Sequence, residues 1–160
     1  MMFQIEQLAI NPPNAAKAKA LLTALGWGSW TEDTVVANGQ VRGERGKRNV
    51  ANLSFNYNSN SPNHGQLEFE VLEYTNGRNW AEDLPYGACH FGMHVTREEL
   101  AVWRAKFSEL SIGVAQEVIT ESHTNPIIAG KRTYNYVIFD TRPILGIDLK
   151  FIVRCDTKET

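Results

Sequence analysis

Leu67-Glu68-Phe69-Glu70-Val71-Leu72-Glu73-Tyr74 returns 80 positions later as Ile147-Asp148-Leu149-Lys150-Phe151-Ile152-Val153-Arg154. Positions 67, 69 and 71 are apolar in both copies, and Glu68 falls opposite Asp148. Alternation of this kind is the signature of a β-strand, whose side chains point to its two faces in turn. A second pair of stretches repeats as well: Glu6-Gln7-Leu8-Ala9-Ile10 against Cys89-His90-Phe91-Gly92-Met93. A repeat of this length fixes the architecture before any single residue is interpreted.

Working outward, each copy shows the same order of elements. In the first, Gln4–Ile10 reads as a strand stopped by Asn11-Pro12-Pro13. Asn14 suits an N-cap, Ala18, Leu21, Leu22 and Leu25 form an apolar stripe at helical spacing, and Gly26 supplies the stop. Strand-like runs follow at Thr34–Val41, Val50–Tyr57 and Gln66–Tyr74, separated by the turn-rich stretches Arg42–Asn49 and Asn58–Gly65. In the second copy Ala88–Val95 is a strand, and Thr96 and Glu99 form a capping box. Leu100, Trp103, Phe107 and Leu110 make the next helix's buried stripe, ended at Ile112-Gly113. Strands then cover Val114–Thr120, Lys131–Phe139 and Ile147–Arg154. The expected fold class is α+β, two tandem β-α-β-β-β units. One domain over 1–160 is expected, with units 1–76 and 87–155 and a linker at 77–86.

Composition narrows the function. The 160 residues hold 16 Lys+Arg and 18 Asp+Glu, a net charge of −2, which argues against a broad basic surface for nucleic acid. No apolar run reaches the roughly 18–20 residues that span a bilayer. The start lacks the basic and apolar regions of a signal peptide. Two cysteines, Cys89 and Cys155, without Cys-x-x-Cys spacing, point to a reducing cytoplasm and not to a disulfide scaffold.

With Ile5–Ile10, Leu67–Gly77, His90-Phe91-Gly92-Met93-His94-Val95 and Asp140–Ile152 in this order, the chain resembles the vicinal oxygen chelate superfamily. That superfamily includes glyoxalase I, extradiol dioxygenases, methylmalonyl-CoA epimerase and bleomycin resistance proteins. The resemblance covers nearly the whole chain. It implies curved sheets around a cleft, a homodimer, and a divalent metal held by the first and last strands of each unit. The four implied ligand positions are Gln7, Glu70, His90 and Lys150. Imidazole, carboxylate and amide oxygen suit Zn, Ni, Mn or Fe. Alternation puts Glu68 on the face of Glu70, so it is an alternative ligand. The fourth position departs from the pattern, because a charged lysine has three donors and no acceptor. Two readings follow. In one, Gln7, Glu70 and His90 hold a metal for a lyase, isomerase or dioxygenase, with Glu70 also the catalytic base. In the other the metal is lost, Lys150 pairs with Glu70, and the protein sequesters a small molecule, as bleomycin resistance proteins do. A protein-binding module has no support in the sequence.

Other residues are candidates beside plainer alternatives. His94 shares the strand parity of His90 and is a candidate ligand-binding group, or a hydrogen-bonded sheet histidine. Trp27 and Trp30, after the first helix, are candidates to wall the cleft and stack on a planar ligand. His64 and His123 lie in loops and are most simply solvated. Tyr57, Tyr74, Tyr134 and Tyr136 could act as acids or donors, and strand propensity explains them equally well. Arg42-Gly43-Glu44-Arg45-Gly46-Lys47-Arg48 is basic and glycine-rich like an anion-binding loop, but lacks P-loop spacing and reads better as a hairpin tip. Cys89 precedes His90 and so points to the other face of the strand, reading as a small buried apolar residue. In the resembled fold the first and last strands of a unit run parallel, which places Cys89 far from Cys155.

Overall fold

The computed structural model describes residues 2–27, 29–56 and 67–156. Tyr57, His64 and the start of the third strand-like run at Gln66 lie outside them. Eight strands and three helices follow one another as β1 (Gln7–Asn11), α1 (Ala15–Ala24), β2 (Thr31–Val41), β3 (Glu44–Asn56), β4 (Glu68–Gly77), β5 (Gly87–His94), α2 (Arg97–Glu109), β6 (Val114–Ser122), β7 (Arg132–Phe139), α3 (Arg142–Leu145) and β8 (Asp148–Asp156). The four-residue α3 was not foreseen; otherwise the order is the expected repeat.

The strands close into a barrel in the order β1-β4-β3-β2-β6-β7-β8-β5. Each repeat contributes a block of four, with its first and last strands parallel: Gln7 pairs with Glu68, and His90 with Asp148. Two antiparallel seams, β1 with β5 and β2 with β6, join the blocks within one chain. At the second seam Gly39 is required, since a Cβ there would collide with the Glu117 carbonyl oxygen.

An eight-stranded barrel is just wide enough for side chains to fill it. Ala9, Val35, Val41, Ala51, Leu53, Leu72, Trp80 and Ile138 do so. One end is sealed by the segment between the repeats. Trp80, 1% exposed, donates its indole N–H to Asp148 Oδ2 (3.1 Å) and its backbone N–H to Gln116 Oε1 (3.2 Å). Arg142 fastens the same corner, donating to Asp148 Oδ2 (3.1 Å) and to the Cys89 carbonyl (2.7 Å).

Outside the barrel, α2 lays Leu100, Trp103 and Phe107 on Met93, Val137, Phe139, Phe151 and Val153. Phe107 and Phe139 stack at 4.1 Å between ring centroids. Leu110 does not join this stripe and is exposed, because it is the residue that caps the helix. The stripe expected on α1 also fails. The helix has its Asn14 cap and its stop at Gly26 (φ +95°), yet Leu21 and Leu25 are 63% and 68% exposed. No residue of this ten-residue helix is buried.

Two further expectations change. Arg42–Asn49 is not a loop: Arg42-Gly43 is a two-residue turn with both φ positive (46° and 81°), and Glu44–Arg48 are paired strand. That turn type matches the twist of the flanking strands. The basic run therefore does not cradle an anion; Arg42 instead donates to the Trp80 carbonyl (3.3 Å) and Lys47 pairs with Glu44. Cys89 does not alternate away from the core. It is the extra residue of a β-bulge, since Ala9 faces His90 and Ile10 faces Ala88, and it packs inside. Burial beside Glu70 pushes its thiol up to about 12, and both cysteines are free. No helix among the described residues is long and apolar enough to cross a membrane.

Candidate functional site

The strand register brings Gln7, Glu70, His90 and Lys150 together inside the barrel, each at most 3% exposed. Adjacent strands β4-β1-β5-β8 carry one each, so the cluster spans the seam between the repeats. Lys150 Nζ donates to Gln7 Oε1 at 3.2 Å and lies 3.5 Å from Glu70 Oε2. It also sits 4.1 Å from the centre of the Tyr136 ring. Gln7 Nε2 donates in turn to Glu68, which orients the amide with its oxygen toward the cluster. Gly92 makes room for that amide, as a Cβ at this position would stand 2.8 Å from Gln7 Oε1. Mid-strand glycine was the sequence signal for this close approach.

The protonation states follow from the neighbours. His90 Nε2 lies 2.9 Å from Gln7 Oε1 and 3.2 Å from Glu70 Oε2, both acceptors, so Nε2 carries the proton. Burial, helped by the Lys150 charge, lowers the imidazole to about 4, so it is neutral near pH 7. Its other nitrogen, Nδ1, is buried without a hydrogen-bond partner. Burial pushes the Glu70 carboxyl up, but Lys150 and His90 outweigh it and hold it below the usual range, keeping it ionised.

Two internal chambers adjoin the cluster. The inner one, about 20 Å³, is lined by His90, Lys150, Tyr74, Trp80, Gln116 and Tyr136 among others. The outer one, about 60 Å³, is lined by Gln7, Glu68, His94, Ser122, Tyr134 and Tyr136 among others. Glu70 lines neither, so it holds Lys150 and His90 in place while those two face open space. His94 belongs to the rim, half-exposed and paired with Glu6 at 2.8 Å. Trp27 and Trp30 do not reach the cluster: Trp27 packs on Phe69, and Trp30 donates to Thr23 on α1. Phe69 has the outward parity opposite to Glu68 and Glu70. His123 is an exposed loop residue.

A divalent metal does not fit this arrangement. Among the described residues no three His, Cys, Asp or Glu side chains converge. More decisively, the Lys150 ammonium stands against the same two oxygens, of Gln7 and Glu70, that a metal would use. An ammonium has no lone pair to give.

No family model matches the chain, and no curated protein sequence matches it significantly. Solved structures do resemble it. An epimerase from Streptomyces coelicolor, in complex with 2-nitronate-propionyl-CoA, has a TM-score of 0.53 at 12% identity over 96% of this chain and 95% of its own. A methylmalonyl-CoA epimerase with methylmalonyl-CoA and NH4+ bound gives 0.52 at 12% identity over 96% and 95%. A hypothetical protein from Bacillus halodurans C-125 gives 0.50 at 11% identity over 98% of both chains. Taken with the paired β-α-β-β-β repeat and the closed eight-stranded sheet, these likenesses show that the chain has the fold of the vicinal oxygen chelate superfamily.

Proposed function

We propose that this protein binds a small molecule at the Gln7–Glu70–His90–Lys150 centre without a metal, with Lys150 supplying the positive charge. The observation that carries the reading is the place of Lys150 Nζ, 3.2 Å from Gln7 Oε1 and 3.5 Å from Glu70 Oε2 in the barrel interior. A buried carboxylate is costly without a counter-charge, and here the ammonium provides it. One epimerase of this fold was solved in complex with methylmalonyl-CoA and NH4+; Lys150 is an ammonium tethered to the chain. The ligand reaches the centre through the outer chamber, past Glu68 and His94. Its chemistry complements the two groups that face open space: an oxygen acceptor for Lys150 and a hydrogen-bond donor for the bare Nδ1 of His90. Small carboxylates or carbonyl compounds bearing a hydroxyl meet both needs. The protein acts as a homodimer in this proposal, which light scattering checks.

The test is metal-free protein offered Mn, Fe, Ni and Zn, followed by titration with a hydroxy-carboxylate series. The expected result is no stoichiometric metal uptake, with ligand binding lost in Lys150→Met. Stoichiometric uptake that disappears in His90→Ala would establish the rival, a metal-dependent lyase, isomerase or dioxygenase, and end this reading.

A further inference from the structure

The two chambers share four wall residues: Val35, Leu53, Thr120 and Tyr136. Beyond this partition the inner chamber has room for about one water molecule. A ligand that touches Lys150 and His90 must therefore pass the partition. Val35 and Leu53 are short aliphatic side chains set on the β2–β3 ladder, and Thr120 Oγ1 is engaged by the Tyr134 carbonyl at 3.2 Å. Tyr136 alone among the four carries an aromatic ring, which stacks on Tyr134 at 6.0 Å between centroids on one side and meets Lys150 on its face.

We infer that the Tyr136 ring is the gate between the chambers, that Lys150 latches it, and that a ligand oxygen opens it by taking the ammonium from the ring. The latch is the 4.1 Å approach of Lys150 Nζ to the ring centre. The ammonium donates to Gln7 Oε1, is ion-paired with Glu70 Oε2 at 3.5 Å, and turns its remaining side to the ring. A cation held by a π face is held less strongly than one hydrogen-bonded to a carboxylate or carbonyl oxygen. A ligand oxygen therefore wins that side of the ammonium, the ring loses its hold, and the chambers merge. Ligands without an acceptor leave the gate shut, so Tyr136 also determines specificity. The ligand half of this inference rests on the binding reading above; the latch does not.

Methyl NMR separates the parts. Leu72 and Ile138 line only the inner chamber, and Ile128 and Ile152 only the outer one. Dissolved xenon, a probe of apolar space, should shift the Ile128 and Ile152 methyls in the wild type and in Tyr136→Phe. It should shift Leu72 and Ile138 at least fivefold more in Tyr136→Ala and in Lys150→Met than in the wild type. Glycolate, offered alone, should move Leu72 and Ile138 in the wild type and not in Lys150→Met. Equal xenon shifts in both chambers of the wild type would overturn the gate, as would silence of the inner methyls in both Tyr136→Ala and Lys150→Met. Should the xenon pattern hold while glycolate moves nothing, the latch stands and the ligand half falls with the binding reading.

Discussion

The two repeats share one order of elements and do opposite work. At the centre, the first contributes acceptors, the Gln7 amide oxygen and the Glu70 carboxylate. The second contributes donors, the His90 Nε2–H and the Lys150 ammonium. On the outer surface the contrast recurs. The second repeat's helix is fastened by an aromatic cluster of Trp103, Phe107, Phe139 and Phe151, whereas the first repeat's helix has no buried residue. Backbone symmetry thus places four side chains at one point, and side-chain asymmetry makes their charges cancel. A centre built from two acceptor halves would need a metal; this one carries its own cation.

The largest effect is expected from breaking that cancellation. Lys150→Met leaves Glu70 buried and uncompensated, which should cost about 3–5 kcal/mol in denaturant unfolding. Adding Glu70→Leu should recover most of it; a double variant no more stable than the single one would show that the pair is not the source. Truncating the fastened helix comes next. Trp103→Ala removes a buried aromatic that meets Phe3, Phe107 and Phe151 in the second repeat's outer cluster and should also cost about 3–5 kcal/mol.

Acid should then act through the second repeat's histidine. An unfolded histidine titrates near 6.5 and folded His90 near 4, so between these values the unfolded chain binds a proton that the folded chain refuses. Stability is full above about pH 6.5 and falls as pH drops toward 4, by about 3 kcal/mol in total. Glu70, lowered in the fold, adds to the loss further into acid. A stability profile in which His90→Gln is flat between pH 4 and 6.5 checks the assignment; an unchanged slope would move it elsewhere.

Gly92→Ala sharpens the comparison between the first strands, because the new methyl presses on the Gln7 amide. It should cost about 1–3 kcal/mol and disturb the Lys150 and His90 signals in NMR spectra. The smallest effect belongs to the loosely laid helix: Leu21→Gln should change stability by less than about 0.5 kcal/mol. A loss of several kcal/mol there would mean that α1 is covered in solution.

Much of this was legible in the linear chain because repeats and alternation are local properties. The 80-residue offset between Glu70 and Lys150, and the parity that groups Glu68, Glu70, Leu72 and Tyr74, need no folded structure to be seen. Strand limits were less legible. The Arg42–Arg48 run looks like a loop by composition, yet Arg42-Gly43 suffices for the turn and the ladder takes the rest. The α1 stripe failed for a related reason: helical spacing shows which residues could be buried together, not whether a partner surface reaches them. Trp27 and Trp30 were misplaced relative to the cluster because neither lies on a strand whose parity would have fixed its direction.

What the sequence determined by itself is the duplicated strand-and-helix order and the four residue types that meet at the seam. These follow from short-range periodicity, which the chain carries in its own spacing. Only the tertiary structure decided that the sheet closes, that Trp80 seals one end, and that Lys150 Nζ lies where a metal ion would need to be. Those outcomes depend on contacts between residues far apart in the chain, such as Gln7 with Lys150, 143 positions away, and on volumes that exist only once eight strands have closed around them.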